Sequence, residues 1–228
     1  MARDLGFTFA DEVKALGVTG DFFVMEGIDN TQTSPELEAY KREVFERLRR
    51  QYSEEFIAGD PVLTGFRRLH DKVRRFNKKH IASPENLIRL LLARGELPSI
   101  NPIVDIYNCV SLESRLAIGA HDIDKVTGNV ALRMTDGSEG FLPIGAATPK
   151  KVEAGEYGYI DDAPDIICRL ECRQVEKTKV TPGTRDAFLI VQGNENTPPS
   201  VIHEVREKLI ALIKRFCGGS EKLLYVSS

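Results

Sequence analysis

Apolar positions recur with two different periods along this chain, and the change of period divides it. Leu37, Tyr40, Val44 and Leu48 follow Ser34–Pro35 at three- and four-residue steps, which predicts an amphipathic helix with Ser34 as N-cap and Pro35 in its first turn. Asp60–Pro61 repeats that start signal ahead of Phe66, Leu69, Val73 and Phe76. Ser83–Pro84–Glu85 opens a third helix, capped by Ser83 and stopped by Gly95. It carries Leu87, Ile88, Leu90, Leu91 and Leu92, nearly all-round apolarity that predicts deep burial. Ile103, Ile106, Tyr107 and Val110 predict a fourth from Pro102 to Leu112, interrupted by a turn at Gly119 and Asp122–Asp124.

From Val130 onward short strands take over: Val130–Met134, Gly140–Ile144, Tyr157–Asp161, Ile166–Cys172 and Ala187–Gln192, separated by Asp136–Gly137, Gly145, Gly155 and Pro182–Gly183. Two early extended stretches, Leu5–Phe9 and Asp21–Glu26, are expected to pair with strands much later in the chain. Pro199 opens a last helix buried through Val201, Ile202, Val205, Leu209, Leu212 and Ile213. Gly218–Gly219 ends it, and Leu223–Val226 returns as a strand. Helices, then strands, then a final helix predict α+β, with helices packed on a mixed or antiparallel β-sheet sandwich, and not a βαβ alternation. With no internal repeat and no low-complexity linker, one domain is expected over residues 1–228: an N-terminal strand and helical part to 82, a core over 83–193, and a C-terminal helix and strand over 194–228.

At 228 residues and 42% hydrophobic content the chain can bury a sizeable core. Lys+Arg 31 against Asp+Glu 34 gives a net charge of −3, so no global basic field advertises nucleic acid. One local segment is basic: Arg67, Arg68, Lys72, Arg74, Arg75, Lys78 and Lys79 crowd the second helix, either as a solvated face or as a phosphate-contact surface. Met1–Ala10 lacks a secretory pattern, and no apolar run nears the roughly 18 residues of a membrane span. A cytoplasmic address without membrane contact is expected.

No phosphate-binding loop, dinucleotide fingerprint, G-x-S-x-G or H-E-x-x-H is present. Cys168 and Cys172 would share one side of a strand, but zinc needs two more ligands and none stands nearby in sequence. The four cysteines therefore read as small buried hydrophobes in a reducing compartment, and neither a metal nor another cofactor is expected. His70, His80 and His203 lie in or beside amphipathic helices and read as surface. His121 stands apart, in G-A-H-D-I-D. A carboxylate beside an imidazole sets up a general base, while a loop histidine capping a turn through Asp122 is the plain alternative. Asp105 and Asn108 share one helical face and must be hydrogen-bonded, to backbone or to something in a pocket. Arg169, Glu171 and Arg173 alternate as an ion row beside a mobile segment, Val175–Thr184. Arg173 can take a carboxylate or phosphate bidentately, or close a cross-strand salt bridge.

Ser83–Pro84–Glu85–Asn86–Leu87, Ile100–Asn101–Pro102–Ile103–Val104–Asp105 and Asn108 resemble the B3/B4 domain of bacterial phenylalanyl-tRNA synthetase beta subunits, written approximately S-P-x-W-L, I-N-x-V-V-D-x-T-N-Y-V-M-L-E and P-L-H-A-F-D-x-D-K. Ala120, Asp122, Asp124 and Lys125 continue the match, and a weaker similarity reaches about Gly193. Tyr107–Asn108–Cys109–Val110–Ser111–Leu112 and Arg173–Gln174 are similar to stand-alone relatives of that domain. The resemblance implies a translation quality-control role: binding an aminoacyl group and hydrolysing a mischarged aminoacyl-tRNA in trans. It places a pocket between the Asn108 helix end, the Gly119–Asp122 turn and the Leu170–Val175 strand end.

The residues expected to carry this role are Asn108 and His121 as catalytic, with Tyr107, Gly119, Asp122, Glu171, Arg173 and Gln174 binding substrate. Asn108 would orient the carbonyl or the 3′ adenosine and His121 would position water. Glu171 would take the α-amino group, and Arg173 a carboxylate or phosphate. Tyr107 stands where the family has Thr, Gly119 where it has His, and His121 where it has Phe. The glutamate that reads the tyrosine hydroxyl aligns near Ile190. The implied guest is accordingly not tyrosine but a smaller or an acidic amino acid. The implied partners are the aminoacylated 3′ end of tRNA or a free amino acid. A non-catalytic module holding a free amino acid or an RNA end is the alternative.

Overall fold

The computed structural model describes residues 4–75 and 80–228. Their α+β fold is built on two sheets. The first holds five strands in the order β1 (Phe7–Phe9), β4 (Val130–Met134), β5 (Tyr157–Asp161), β6 (Ile166–Arg169) and β7 (Arg173–Gln174). Only the β1–β4 pair is parallel. The second sheet is antiparallel throughout, in the order β3 (Ala117–Asp122), β8 (Ala187–Gly193), β2 (Thr19–Glu26) and β9 (Ser220–Tyr225). The early strands do pair with late ones: β2 lies between β8 and β9.

Residue alternation along β2 and β8 assigns each face of the second sheet. Phe22, Val24, Phe188 and Ile190 join Leu132, Tyr159 and Ile166 of the first sheet in one core. Phe23, Met25, Leu189 and Val191 point the other way, to α6 (Pro102–Ser114) and α7 (Pro199–Cys217). Buried on both sides, these strands read as unbroken apolar runs. A third cluster joins α6 to α2 (Pro35–Gln51), α3 (Glu54–Gly59), α4 (Pro61–Lys72) and α5 (Ser83–Arg94) through Val44, Leu48, Ile57, Leu63, Ile88, Leu91 and Leu112.

Most helix starts follow from capping. Ser34 Oγ accepts from Leu37 N at 3.1 Å, Asp60 Oδ1 from Leu63 N at 3.0 Å and Asn101 Oδ1 from Val104 N at 3.2 Å. Ser83 is not a cap: it is the first helical residue, and Ala82 precedes it without a side-chain bond. Nor is α5 buried all round. Ile88 and Leu91 are sealed against the helices, whereas Leu87 and Leu90 are half-buried and turn toward a cavity. The second basic helix stops at Lys72, followed by Arg74 at a left-handed φ of 58°. The expected continuation through Phe76, Lys78 and Lys79 lies outside the described residues.

Gly119–Asp122, expected as a turn, is strand β3. Small residues there admit a close neighbour: a Cβ on Gly119 would stand 2.5 Å from Gln174 Nε2. Gly140–Ile144 forms no strand, only isolated bridges at Gly140 and Pro143. The strand expected to reach Cys172 breaks at Leu170, whose φ is 52°, and folds back as the β6–β7 hairpin. The short helix α1 (Asp11–Ala15) and α3 had no periodic signal of their own length. Among the described residues, no helix is long and apolar enough to cross a membrane.

Candidate functional site

A cavity of about 340 Å³ opens between α5, the Tyr107–Asn108 turn of α6, strand β3 and the β6–β7 hairpin. It falls within the roughly 300–1,000 Å³ of small-molecule sites. Leu87, Leu90, Ile118 and Ile190 supply its apolar wall; Tyr107, Asn108, Glu171, Arg173, Gln174 and Gln192 supply polar groups, and Gly119 leaves the room that Gln174 occupies. Six of the eight residues singled out in the sequence therefore meet at one hollow. His121 and Asp122 do not.

Strand geometry explains the Asp122 departure; His121 shares the face of Gly119, two residues further along, and is covered there by Phe188 and Thr178. Consecutive side chains on β3 point to opposite faces, so Asp122 cannot partner the imidazole before it. Asp122 instead accepts from Thr184 Oγ1 at 2.7 Å and from Asp124 N at 3.1 Å, fixing the turn into a short 3-10 segment. His121 is fully buried, stacked on Phe188 at 6.4 Å, with Nδ1 2.9 Å from Thr178 Oγ1 and Nε2 without a hydrogen-bond partner among the described residues. Burial pushes its pKa down to about 3, so the ring is neutral at physiological pH, and it is not among the residues lining the cavity.

Asp105 and Asn108 separate cleanly. Asp105 is buried against Lys41 Nζ at 2.7 Å and Ile100 N at 2.9 Å, a structural bond. Asn108 is half-buried on the cavity wall, and no described residue hydrogen-bonds its side chain. The expected ion row also dissolves, because the bend at Leu170 turns Glu171 inward. Arg169 grips buried Glu156 at 2.6 and 2.7 Å, and Arg75 reaches the same carboxylate at 2.6 Å. Although burial works against ionisation, the two guanidiniums hold Glu156 below the usual carboxylate range. Arg173 is exposed and forms no ion pair among the described residues. Val175–Thr184 is not loose. Val175, Thr178 and Thr184 are buried, and its backbone bridges His121.

Glu171 lies at the cavity floor within a network that sequence spacing did not reveal. Its Oε1 meets His70 Nε2, and its Oε2 accepts from the Tyr157 hydroxyl and from Gln192 Nε2 at 3.2 Å. Tyr159 in turn donates to Gln192 Oε1 at 2.6 Å. Read as surface in the sequence, His70 is 3% exposed. Burial alone would lower its pKa; the adjoining Glu171 carboxylate outweighs that and raises it above the ordinary histidine value. Alternating strand positions, Tyr157 with Tyr159 and Ile190 with Gln192, were the available signal for a polar stripe on the inner sheet faces.

A second hollow of about 610 Å³ shares Ile144, Cys172 and Arg173 with the first. Lys150, Lys151 and Arg173 give this groove positive charge at the side it shares with the cavity; Arg169, which also lines it, is already paired with Glu156, and burial and the Arg169 charge push the lining His80 below the ordinary histidine value. The basic residues of α4 are otherwise engaged: Arg67 binds Glu85, and Arg68 and Lys72 bind Glu195.

A family model described as the B3/4 domain matches residues 71–218, a wider span than the 83–193 core. The phenylalanine–tRNA ligase beta subunit of Shewanella oneidensis is 30% identical over 151 residues, covering 56% of this chain and 19% of that protein. The corresponding subunit of Photorhabdus laumondii is 25% identical over 160 residues, covering 60% and 20%. The chain thus spans about a fifth of the length of these curated relatives. Among solved structures, an N-terminal fragment of the phenylalanyl-tRNA synthetase beta-subunit from Pyrococcus horikoshii superposes with a TM-score of 0.51 at 12% identity, over 96% of this chain and 51% of that one, a likeness of fold. With a matching model over well more than half its length, this chain belongs to the B3/4 domain family, related to a domain of the phenylalanyl-tRNA synthetase beta subunit.

Proposed function

We propose that the cavity receives the aminoacyl group of an aminoacyl-tRNA and that the chain hydrolyses the ester of a mischarged tRNA in trans. The observation that carries this reading is the union at Arg173 of an amino-acid-sized cavity with a cationic groove. An aminoacyl group needs the first, and the phosphates of a 3′ end need the second. Asn108 and the Gln174 amide face the cavity and can orient the ester carbonyl or the terminal ribose. Arg173 sits where it can take a phosphate, or the side-chain carboxylate of an acidic amino acid. Glu171, held by His70, Tyr157 and Gln192, keeps the floor polar.

The guest is a small or acidic aminoacyl group. Ile190 on the wall offers no bond to a tyrosine hydroxyl, and a site built to read a hydroxyl gains its discrimination from that bond. A panel of aminoacyl-tRNAs tests this: turnover of one or a few small or acidic esters is expected, weakened at least tenfold by Arg173→Ala. Turnover of the tyrosyl ester ahead of these would refute the specificity. One observation favours a second reading, a non-catalytic binder: His121, the base suggested by sequence, is buried and does not line the cavity. Thermal stabilisation by free amino acids without turnover of any ester would select it.

A further inference from the structure

Three ligand-type atoms from distant parts of the sequence converge behind the cavity floor. His70 Nε2 comes from α4, and Glu171 Oε1 and Cys172 Sγ come from the turn between β6 and β7; all lie within 4.8 Å of one another. Cys172 Sγ is 3.7 Å from His70 Nε2. Tetrahedral zinc, with Zn–N near 2.0 Å and Zn–S near 2.3 Å, sets that separation at about 3.5 Å. Glu171 Oε1 lies closer to the imidazole, as a hydrogen bond requires, so loading a cation draws the two apart. Tyr157 and Gln192 already hold Oε2. They aim Oε1 at the imidazole, as outer partners do for a ligating carboxylate.

A protein-only account exists: a buried His70–Glu171 ion pair. It satisfies the imidazole and the carboxylate but leaves the thiol on the third side unexplained. Cys168 does not share the duty, since its Sγ turns to Leu170 O at 3.5 Å. One nitrogen, one carboxylate oxygen and one sulfur form a donor set that magnesium and calcium do not favour and that zinc accepts in full. Charge also balances. An imidazolium, a carboxylate and a thiol sum to zero, and so do a neutral imidazole, a carboxylate, a thiolate and Zn²⁺. One zinc ion therefore replaces two protons without leaving net charge in the interior.

We propose that His70, Glu171 and Cys172 form a mononuclear site for zinc, its fourth position turned toward the cavity that Glu171 and Cys172 line. A water held there, its pKa lowered by the ion, is the nucleophile that the proposed hydrolysis needs. That use rests on the aminoacyl reading; the binding of the ion does not.

Zinc alone is the probe. Chelator-treated protein should take up one equivalent of Zn²⁺ per chain and release two protons per ion below the free pKa values of the imidazole and thiol. Co²⁺ should give a thiolate-to-metal charge-transfer band. Cys172→Ser should abolish the band and, with His70→Gln, weaken zinc binding at least tenfold, circular dichroism confirming that each variant is folded. Less than one equivalent bound by the parent protein, no thiolate band, or unchanged affinity in both folded variants would overturn the site. No tRNA enters these measurements. Zinc uptake without ester turnover therefore sinks the aminoacyl reading alone, and turnover without zinc uptake sinks the metal site alone.

Discussion

His121 in β3 and His70 at the end of α4 are both sealed from solvent, at 0% and 3% exposure, yet their surroundings drive them in opposite directions. Around His121 stand Phe188 and the Thr178 hydroxyl, with no charge to offset burial, and the ring is held neutral. Against His70 stands a carboxylate, and the ring is pushed toward its charged form. The carboxylate adjacent in sequence, Asp122, is useless to His121 because a strand turns it to the other face. The carboxylate that matters, Glu171, lies 101 residues away and arrives through a left-handed bend at Leu170.

The largest expected effect breaks the His121 side of this comparison. Its folded pKa lies below the unfolded value of about 6.5, so its stability contribution is present above that pH and is lost as pH falls toward 3. The loss amounts to roughly 4–5 kcal/mol for full protonation. His121→Leu removes it: urea midpoints of variant and parent should shift relative to each other, in the variant's favour, as pH is lowered from neutrality. A difference that stays constant with pH would mean the ring is not held neutral by burial.

Glu171→Ala sharpens the other side. Removing one partner of a buried pair costs about 3 kcal/mol in chelator-treated protein, because His70, Tyr157 and Gln192 lose their shared acceptor. The pH dependence should also move toward that of His121. In the parent, the folded pKa of His70 is raised, so its contribution is complete below the unfolded value and fades as pH rises through the folded one. Without Glu171, burial is opposed only by the His80 backbone hydrogen bond and the Asp71 charge, so the behaviour of His70 moves toward that of His121, with stability lost toward acid. Denaturant melts of the variant across the two pH ranges read this directly.

The same contrast explains what the sequence disclosed. Local rules located the starts of α2, α4 and α6, because Ser34, Asp60 and Asn101 cap as expected and the apolar stripe behind each is long. Strands β4 and β5 were legible from alternation and their flanking glycines. β3 was missed because Gly119, Ala120 and Asp122 carry turn chemistry, while the burial that makes them a strand comes from β8. The cavity wall was reachable in part: helix α6 and the β6–β7 hairpin carry Asn108, Arg173 and Gln174. Its floor was not, since His70 and Tyr157 acquire their roles from Glu171, and Glu171 points inward only because the chain bends at Leu170. Counting metal ligands along the sequence near Cys172 could not find His70.

Two smaller perturbations test whether the cavity, and not the buried network, is what a guest senses. At Gly119 an added Cβ would meet Gln174 Nε2 at 2.5 Å, the far end of a side chain that faces open space. In strand β3 alanine is intrinsically favoured over glycine by about 0.5–1 kcal/mol. Displacing the amide works against that gain, so Gly119→Ala should alter stability by no more than about 1 kcal/mol. Ligand affinity should fall about tenfold because the moved amide fills the hollow. Arg173→Ala should do least to the fold, within about 0.5 kcal/mol, since the side chain is exposed and forms no ion pair among the described residues. It removes the charge shared by cavity and groove, so binding of an aminoacylated 3′ end should weaken and lose part of its dependence on salt. An Arg173→Ala protein whose binding keeps the parent's affinity and salt slope would place the phosphates elsewhere, while leaving the contrast between His70 and His121 intact.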